Sequence, residues 1–593
     1  MTTPLISRRD LEFLLYEWLR VERLLDRPRF SDHSRAGFDA MLDVAERVAS
    51  EKYLTHLKLG DANEPRLVGG KVVLIPEIGD ALKAFIDTGL VGATIDVEHG
   101  GLQLPATVTR ACDAYFLAAN PATTTYTVLS TGVANLLLAH ASKEQIDVFV
   151  PGLLDGRYFG TMCLSETGAG SALSGIKTAA YPQSDGSYRI VGDKMWIGAG
   201  DHELSENIIH MVLAKIPGGD GGVRGISLFI VPRYLVEPDG SRGERNDVNV
   251  VGLNHKMGIR SVVNAVLNFG DGTHRPGGAP GAVGFLVGQA GRGLEFMFHM
   301  MNEARIGVGT MASALGYTGY LQSVDYARDR VQGARVADRS GRQVPIIEHA
   351  DVRRMLLAQK AYAEGALALS LFCADLVDEQ ASADEVAARQ AGLLLDLLTP
   401  IAKSWPAQWC VAANDLAIQV HGGYGYTRDY NVEQLLRDNR INSIYEGTQG
   451  IQALDLLGRK VVADHGAAMA ELAARIRATV AAVGATELAD FADQLQRSFD
   501  HLETVTQKLW GAGDPAVTLS NATPYLQAFG HIVLAWIWLQ KMSAALGKPG
   551  SFYAGKAAAG SYFYRWELPT VEPVLNQLGA LDRTTLDVRP EWF

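Results

Sequence analysis

The chain has 593 residues, of which 47% are hydrophobic and 20% charged, and a net charge of -12. That is the composition of a folded protein of several domains rather than a disordered one, and the acidic total excludes a general nucleic-acid binder, which needs a basic surface for phosphates. Cys112, Cys163, Cys373 and Cys410 are too scattered for a disulfide framework and form no C-x-x-C pair, so they are expected as reduced core residues of a cytoplasmic protein without a metal site.

The start, "MTTPLISRRDLEFLLYEWL", lacks the ordered regions of a signal peptide, and no stretch approaches ~18 uninterrupted apolar residues. No membrane insertion is expected, and the densest run, "FGHIVLAWIWLQ", reads as a buried helix. Leu11, Leu14, Leu15 and Leu19 mark one helical face, and helical periodicity continues to about residue 155. From about residue 157 short β-rich runs alternate with Gly, Asp and Pro: "YFGTMCLSE", "YRIVGDKMWIG", "NIIHMVLAKI", "GISLFIVP", "NAVLNFG" and "GAVGFLV". Such spacing predicts a small β-barrel or sandwich. The helical period returns at "GRGLEFMFHMMNEARIGVG" and persists to about residue 456, and the remainder is helical again. The expected domains are 1–156, 157–285, 286–456 and 457–593.

Neither of the candidate nucleotide loops survives inspection. "GVGTMA", from Gly307 to Ala312, fits G-x-G-x-x-A but lies in a helical run with no strand before it, so it reads as helix packing. "LSETGAGS" lacks the required third glycine, yet a Gly- and hydroxyl-rich loop after a strand can offer N–H groups to a pyrophosphate. The lone Glu446 in "IYEGTQG" admits two readings, a solvated linker residue or a base held in an apolar pocket.

Three separated segments decide between them: "MCLSETGAGSALSGIKT" with "GDKMWIGAG", then "QVHGGYGYTRDYNVEQLLRD", then "IYEGTQGIQALDLLGR". In this order they resemble the acyl-CoA dehydrogenase family, over about residues 75 to 460. The flanking helical regions resemble its longer bacterial subgroup, which includes 3-methylmercaptopropionyl-CoA dehydrogenases. The resemblance implies an α+β multidomain fold: an all-α N-terminal domain, a central β-barrel, a C-terminal four-helix bundle and an extra C-terminal helical domain.

It also implies roles for individual residues. Glu446 matches the catalytic base, which takes the α-proton of an acyl-CoA thioester while a hydride leaves the β-carbon for FAD. Such a base needs an apolar site that raises its pKa; Ile444 and Tyr445 are expected to wall it, and Gly447 to leave room for the thioester. Ser165, with backbone N–H groups from Cys163 to Glu166, matches the flavin-ring contact, and Trp196 an aromatic beside the ring. Gly198 stands where the family often has Thr or Ser, which leaves oxygen reactivity open. Ser171 matches a position at the cofactor and CoA chain, though Ala172 replaces a common acidic neighbour. Asn302 and Arg305 match the CoA-binding helix. Arg330 and Gln332 match contacts to the FAD pyrophosphate of a neighbouring subunit, and Gln419, Gly422 and Gly423 contacts to its adenylate half. Thr448 is expected to cap the next helix and touch FAD.

The partners so implied are an acyl-CoA substrate, fatty or 3-methylmercaptopropionyl, an electron-transfer flavoprotein, and a second copy in a homodimer. An oxidase using O2 is the alternative acceptor chemistry. Some relatives with an added C-terminal region are DNA-associated, but residues 461–593 hold 10 Lys plus Arg against 13 Asp plus Glu, which is no basic footprint. The apolar bulk of "FGHIVLAWIWLQ" and "YFYRWEL" is expected to cap a dimer surface.

Overall fold

The computed structural model describes residues 5–336 and 341–593. They form two compact units that do not follow the four expected boundaries. A barrel unit comprises Ala36–Leu104 and Tyr115–Ala304; a helical unit comprises the segment ending at Arg35, Pro105–Ala114 and Arg305–Phe593.

In the barrel unit the strands are β1 (Tyr158–Cys163), β2 (Ala179–Pro182), β3 (Tyr188–Gly198), β4 (Asn207–Lys215), β5 (Ile226–Pro232), β6 (Val248–Leu253), β7 (Asn264–Phe269) and β8 (Ala282–Leu286). Strands β2, β3, β8, β5 and β4 pair in a closed ring. The ring closes through one parallel pair, Ala179 with Lys215, where the Lys215 N–H donates to the Thr178 carbonyl at 2.9 Å. Closure removes the exposed edges that an open sheet leaves. β1 adds to β4 in parallel, and β7 then β6 extend from β3. The six β-rich runs of the sequence are all strands. Within this eight-stranded sheet the two strands outside that list are β2, only four residues long, and β6, whose faces are half-buried; a separate hairpin, Tyr234–Val236 with Arg242–Arg245, also lies outside it.

β5 is buried at every position and β4 at all but its last, as continuous apolar runs covered on both faces should be. Helix α1 (Ala106–Ala119) precedes the covering helices, which are α2 (Pro121–His140), α3 (Lys143–Leu154) and the first turns of α4 (Gly293–Asp329). Val133, Leu137, Tyr158, Met211, Leu228 and Met297 share this core. Gly160 on β1 lets α2 lie close, since a Cβ there would come within 2.6 Å of Val133. The N-terminal region is not purely helical: a hairpin of Arg66–Val68 with Lys71–Val73 interrupts it. Tyr115 and Phe116, in the region of α1, are fully buried, Phe116 among the rings of Tyr53 and Phe85.

In the helical unit α4 is followed by α5 (Ala350–Ser382), α6 (Glu385–His421), α7 (Val432–Asn439) and α8 (Gln449–Asp455). The long α6 contains Pro400 and Pro406. Pro406 has no N–H to return to the carbonyl of Ala402, and α4 backs onto that carbonyl through Gly309, where a Cβ would lie 1.9 Å from the oxygen. Gly309 of "GVGTMA" thus serves helix packing, whereas a Cβ at Gly307 would meet only Arg110 Nη1, at 3.8 Å.

The C-terminal module contains α9 (Ala467–Val483), α10 (Ala489–Gly511), α11 (Ala522–Ala545), α12 (Ser551–Tyr562) and α13 (Val571–Gly579). Phe529, Trp536, Trp538, Phe563 and Tyr564 are all buried, in part against α5 and α6: Trp536 meets Phe372, Phe563 meets Trp405, and Trp538 donates to the Ala361 carbonyl at 3.1 Å. Much of the aromatic bulk expected to cap a dimer surface thus docks the module within its own unit, while Trp566 stays exposed. A buried polar cluster ties the module to the N-terminal segment and to α5: Lys556 pairs with Asp10 and Glu364, and Tyr317 donates to Asp10 at 2.8 Å. Lys541 donates to the Glu364 carbonyl at 2.9 Å with its ammonium over the Trp538 ring. Burial, and then the neighbouring Lys556, pull its pKa down to about 7. These links explain why the first residues belong with the last. All four cysteines are buried and unpaired.

Candidate functional site

The helical unit holds Glu446 at a break between helices. After α7 a single 3-10 turn, Arg440–Ser443, ends the helix, and Thr448 starts α8 as its N-cap, accepting from the Ile451 N–H at 3.3 Å. Between them Glu446 has φ 53° and Gly447 φ 89°. A non-glycine residue in the left-handed region is strained and persists only where the surroundings dictate it.

Here they do. Buried asparagine amides lock the approach: Asn442 donates to Asn439 at 2.9 Å, Asn439 to Asn414 at 2.7 Å, and Asn414 to the Leu315 carbonyl at 3.0 Å. Ser443 donates to the Ala407 carbonyl at 2.8 Å. Two side chains then grip the turn itself. Gln452 Nε2 donates to the Glu446 carbonyl at 2.9 Å, and Lys403 Nζ to the Gly447 carbonyl at 2.7 Å. Gly447 is needed for its positive φ and because a Cβ would stand 2.5 Å from Gln452 Nε2.

Among the described residues no donor bonds the Glu446 carboxylate. The residue keeps partial solvent access, yet protein surrounds it, and that burial raises its pKa against the opposing pull of Arg305 and Lys403. Lys403 is fully buried on α6, and desolvation brings its pKa down to about 8 although Glu446 holds it up. Ile444, expected beside the base, is 51% exposed. Tyr445 turns inward, with its hydroxyl 3.5 Å from Met311 Sδ.

Arg305 is buried on α4, paired with Asp455 Oδ2 at 3.1 Å, while Arg459 reaches the other oxygen at 3.2 Å. Glu303, in the barrel unit, takes the Asn135 amide at 3.0 Å. Asn302, one turn before Arg305, is half-buried.

Arg330, Gln332, Gly422 and Gly423 line one concavity of about 480 Å³ in the helical unit, with Tyr326, His421 and Tyr424. Tyr326 stacks on His421 at 4.3 Å, and the Arg330 guanidinium lies 5.8 Å from the Tyr424 ring centroid. A Cβ at Gly422 or Gly423 would meet nothing within 4 Å, so the backbone there is open to a ligand. Gln419 is exposed at the end of α6 and is not among the lining residues. His421 and Tyr424 stood in the quoted segment, beside Gly-Gly, whereas Tyr326 lay outside it.

In the barrel unit β1 ends at Cys163, whose side chain is buried by Thr161 and His210, leaving only its backbone for a ligand. Ser165 follows, half-buried, its carbonyl accepting the Met195 N–H at 2.9 Å. Glu166 pins the glycine-rich loop. Its carboxylate accepts from the Lys177 N–H (2.6 Å), the Thr178 N–H (3.0 Å) and hydroxyl (2.6 Å), and from Lys194 Nζ (3.0 Å). Burial pushes its pKa up, but these donors win and hold it below the usual range. Ser171 is exposed on the far side of the loop.

Trp196 is 57% exposed with φ 67°. The cause is a bulge: Leu267 faces Lys194 and Ala265 faces Ile197, so Met195 and Trp196 oppose one residue of β7. A bulge re-aims a side chain, and here it presents an indole outward. A Cβ at Gly198 would meet only Leu129 Cδ1, at 3.7 Å; the missing Thr or Ser is not forced by crowding.

A family model described as "Acyl-CoA dehydrogenase, C-terminal domain" matches residues 291–462, and one described as "Acetyl-CoA dehydrogenase C-terminal like" matches residues 472–589. The 3-methylmercaptopropionyl-CoA dehydrogenase of Ruegeria pomeroyi is 34% identical over 572 residues, 94% of each chain. The chain belongs to the acyl-CoA dehydrogenase family. The broad-specificity linear acyl-CoA dehydrogenase FadE5 of Mycobacterium tuberculosis is likewise 34% identical, over 98% of each chain. An acyl-CoA dehydrogenase from Bacillus anthracis, solved with FAD, shares the fold at TM-score 0.75 and 20% identity, covering 97% of this chain and 93% of its own.

As an acyl-CoA dehydrogenase this protein is an FAD-dependent oxidoreductase. Its residues fit that cofactor: an indole held outward, a loop in which a Cβ at Gly168 or Gly170 would meet nothing within 4 Å, and a cation beside open glycine backbone at Arg330. Among the described residues no helix is long and apolar enough to cross a membrane, and no group of three His, Cys, Asp or Glu side chains could hold a metal ion.

Proposed function

We propose that the protein oxidises an unbranched acyl-CoA to its trans-2,3-enoyl form, with Glu446 as the base, and passes the electrons to an electron-transfer flavoprotein. The observation that carries this is the Glu446 carboxylate, set on a strained turn, surrounded by protein with a raised pKa, and without a hydrogen-bond donor among the described residues. A carboxylate bonded by donors is a weak base; one that burial has destabilised takes a proton readily. Gln452 and Lys403 hold the turn so that the carboxylate meets the α-carbon in one geometry.

FAD, when bound, supplies the acceptor for the β-hydride. Ser165, the backbone from Cys163, Trp196 and Gly198 would hold its ring, with Ser171 and Thr448 beside it. Arg330, Gln332, Gly422 and Gly423, with Gln419 at the margin, would receive the nucleotide half from a second copy, which makes the enzyme a homodimer. Asn302 and Arg305 would order the CoA arm, Arg305 acting from its pair with Asp455. Gly447 serves the substrate by keeping the turn. The unpaired buried thiols accord with a cytoplasmic setting. The names of the two relatives support a linear fatty acyl-CoA or 3-methylmercaptopropionyl-CoA as substrate.

The test is an anaerobic titration of the yellow protein with saturated acyl-CoAs of increasing length and with the thioether substrate, following the flavin band. Bleaching that Glu446→Gln abolishes while the flavin stays bound is expected; a band that no acyl-CoA bleaches would refute the proposal. Reoxidation faster with air than with an electron-transfer flavoprotein would replace dehydrogenase by oxidase.

A further inference from the structure

Two cations act on Glu446, and they are not equivalent. Arg305 on α4 already has a carboxylate partner in Asp455 on α8. Lys403 on α6 is 0% exposed, and the one hydrogen bond it makes among the described residues is to a neutral group, the Gly447 carbonyl at 2.7 Å. A buried ammonium with only a neutral acceptor is costly unless a negative charge stands near. The carboxylate that answers it is Glu446, against the repulsion of Arg305, while the Tyr445 hydroxyl on the same turn lies at Met311. The nearest residues on α6, Ile401, Ala402, Ser404 and Trp405, carry no charge.

We propose that Lys403 is the counterion of Glu446, a positioning residue that keeps the base ionised inside its pocket while holding its turn. The inference rests on the reading of Glu446 as the base. Lys403 does not itself exchange the proton. As the α-C–H bond breaks and an O–H bond forms on Glu446, the electron pair moves toward the thioester oxygen. The carboxylate charge vanishes while the ammonium stays, so the pocket gains positive charge at the moment the substrate oxygen gains negative charge. That is electrostatic stabilisation set in place before the reaction.

The sign of the pH effect follows. Burial raises the Glu446 pKa, and Arg305 and then Lys403 oppose that rise, so removing the Lys403 ammonium while leaving the carboxylate moves the acid limb of the rate profile to higher pH. Lys403, with its own pKa lowered to about 8, is charged below that pH.

The experiment follows anaerobic flavin reduction by the best acyl-CoA from about pH 5.5 to 9 in the wild type, Lys403→Gln, Lys403→Met and Lys403→Arg. Gln keeps a donor for the Gly447 carbonyl without the charge, and Met removes both. The acid limb is expected to move up by about one pH unit or more in Gln and Met, with a smaller, pH-independent loss remaining above it, and to return in Arg. Equal loss at every pH in Met, with an unmoved limb in Gln, would reduce Lys403 to a structural clamp and overturn the proposal. Thermal melting gives a second readout: Glu446→Gln should stabilise Lys403→Met more than it stabilises the wild type, and additive changes would also overturn it. A Glu446→Gln protein reduced as fast as wild type would instead refute the base assignment.

Discussion

Glu166 and Glu446 both sit in short loops beside a buried lysine, one in each unit, and their carboxylates have opposite fates. The Glu166 carboxylate accepts four hydrogen bonds and is held below the usual range; among the described residues the Glu446 carboxylate accepts none, and it is raised. The difference lies in where the lysine points. Lys194 donates to the carboxylate itself, whereas Lys403 donates to the backbone next to its glutamate. A satisfied carboxylate fastens a loop, and an unsatisfied one does chemistry. The chain spends stability at the second loop and gains it at the first.

The largest effect should come from breaking the reactive side. Glu446→Gln is expected to slow flavin reduction by about 10²–10⁴-fold while melting no lower than the wild type. The linkage sign supports this: a carboxylate with a raised folded pKa weakens the fold above that pKa, and the penalty fades as pH falls through it. A marked loss of stability in this variant would break the comparison.

On the fastening side, Lys194→Met should destabilise by about 3–5 kcal/mol, read as a lower melting temperature, because it leaves Glu166 buried without its ammonium. The Glu166 contribution is present above the ordinary carboxylate pKa and is lost as pH falls through its lowered folded value. Glu166→Gln should therefore flatten the acid side of the stability profile.

Gly447→Ala tests the grip. It places a Cβ against Gln452 at a φ of 89°, costing about 1–2 kcal/mol, and should lower the rate more than the melting temperature. The smallest effect is expected from Gly198→Thr, where space exists: stability within about 0.5 kcal/mol of wild type, with a changed rate of flavin reoxidation in air. An unchanged rate would remove Gly198 from the site.

Much of this was legible in the chain itself. The order of helical and β-rich regions showed in the switch from a period of 3.6 to one of 2, and Glu446 stood out because "IYEG" breaks an otherwise helical pattern. The two units did not, since the segment ending at Arg35 joins the C-terminal helices through Asp10 and Lys556, a pairing across the chain that no local pattern carries. Lys403 was missed for a related reason: one lysine on a helix usually lies in solvent. Its signal was isolation, a single charge in "LLTPIAKSWPAQWC" between two prolines. The exposure of Ile444 escaped too, because the reversal at Glu446 turns its neighbours to opposite sides.

The contact of Gly309 with the Ala402 carbonyl acts at a distance. Ala402 immediately precedes Lys403, so the spacing of α4 and α6 at that point sets how far the ammonium reaches. One added methyl at Gly309 would force the helices apart, and the enzyme would behave as though its proton chemistry had been altered although every residue of the pocket was intact. In a survey of inherited or selected variants, such a change would be scored as catalytic by assay and as silent by inspection of the site.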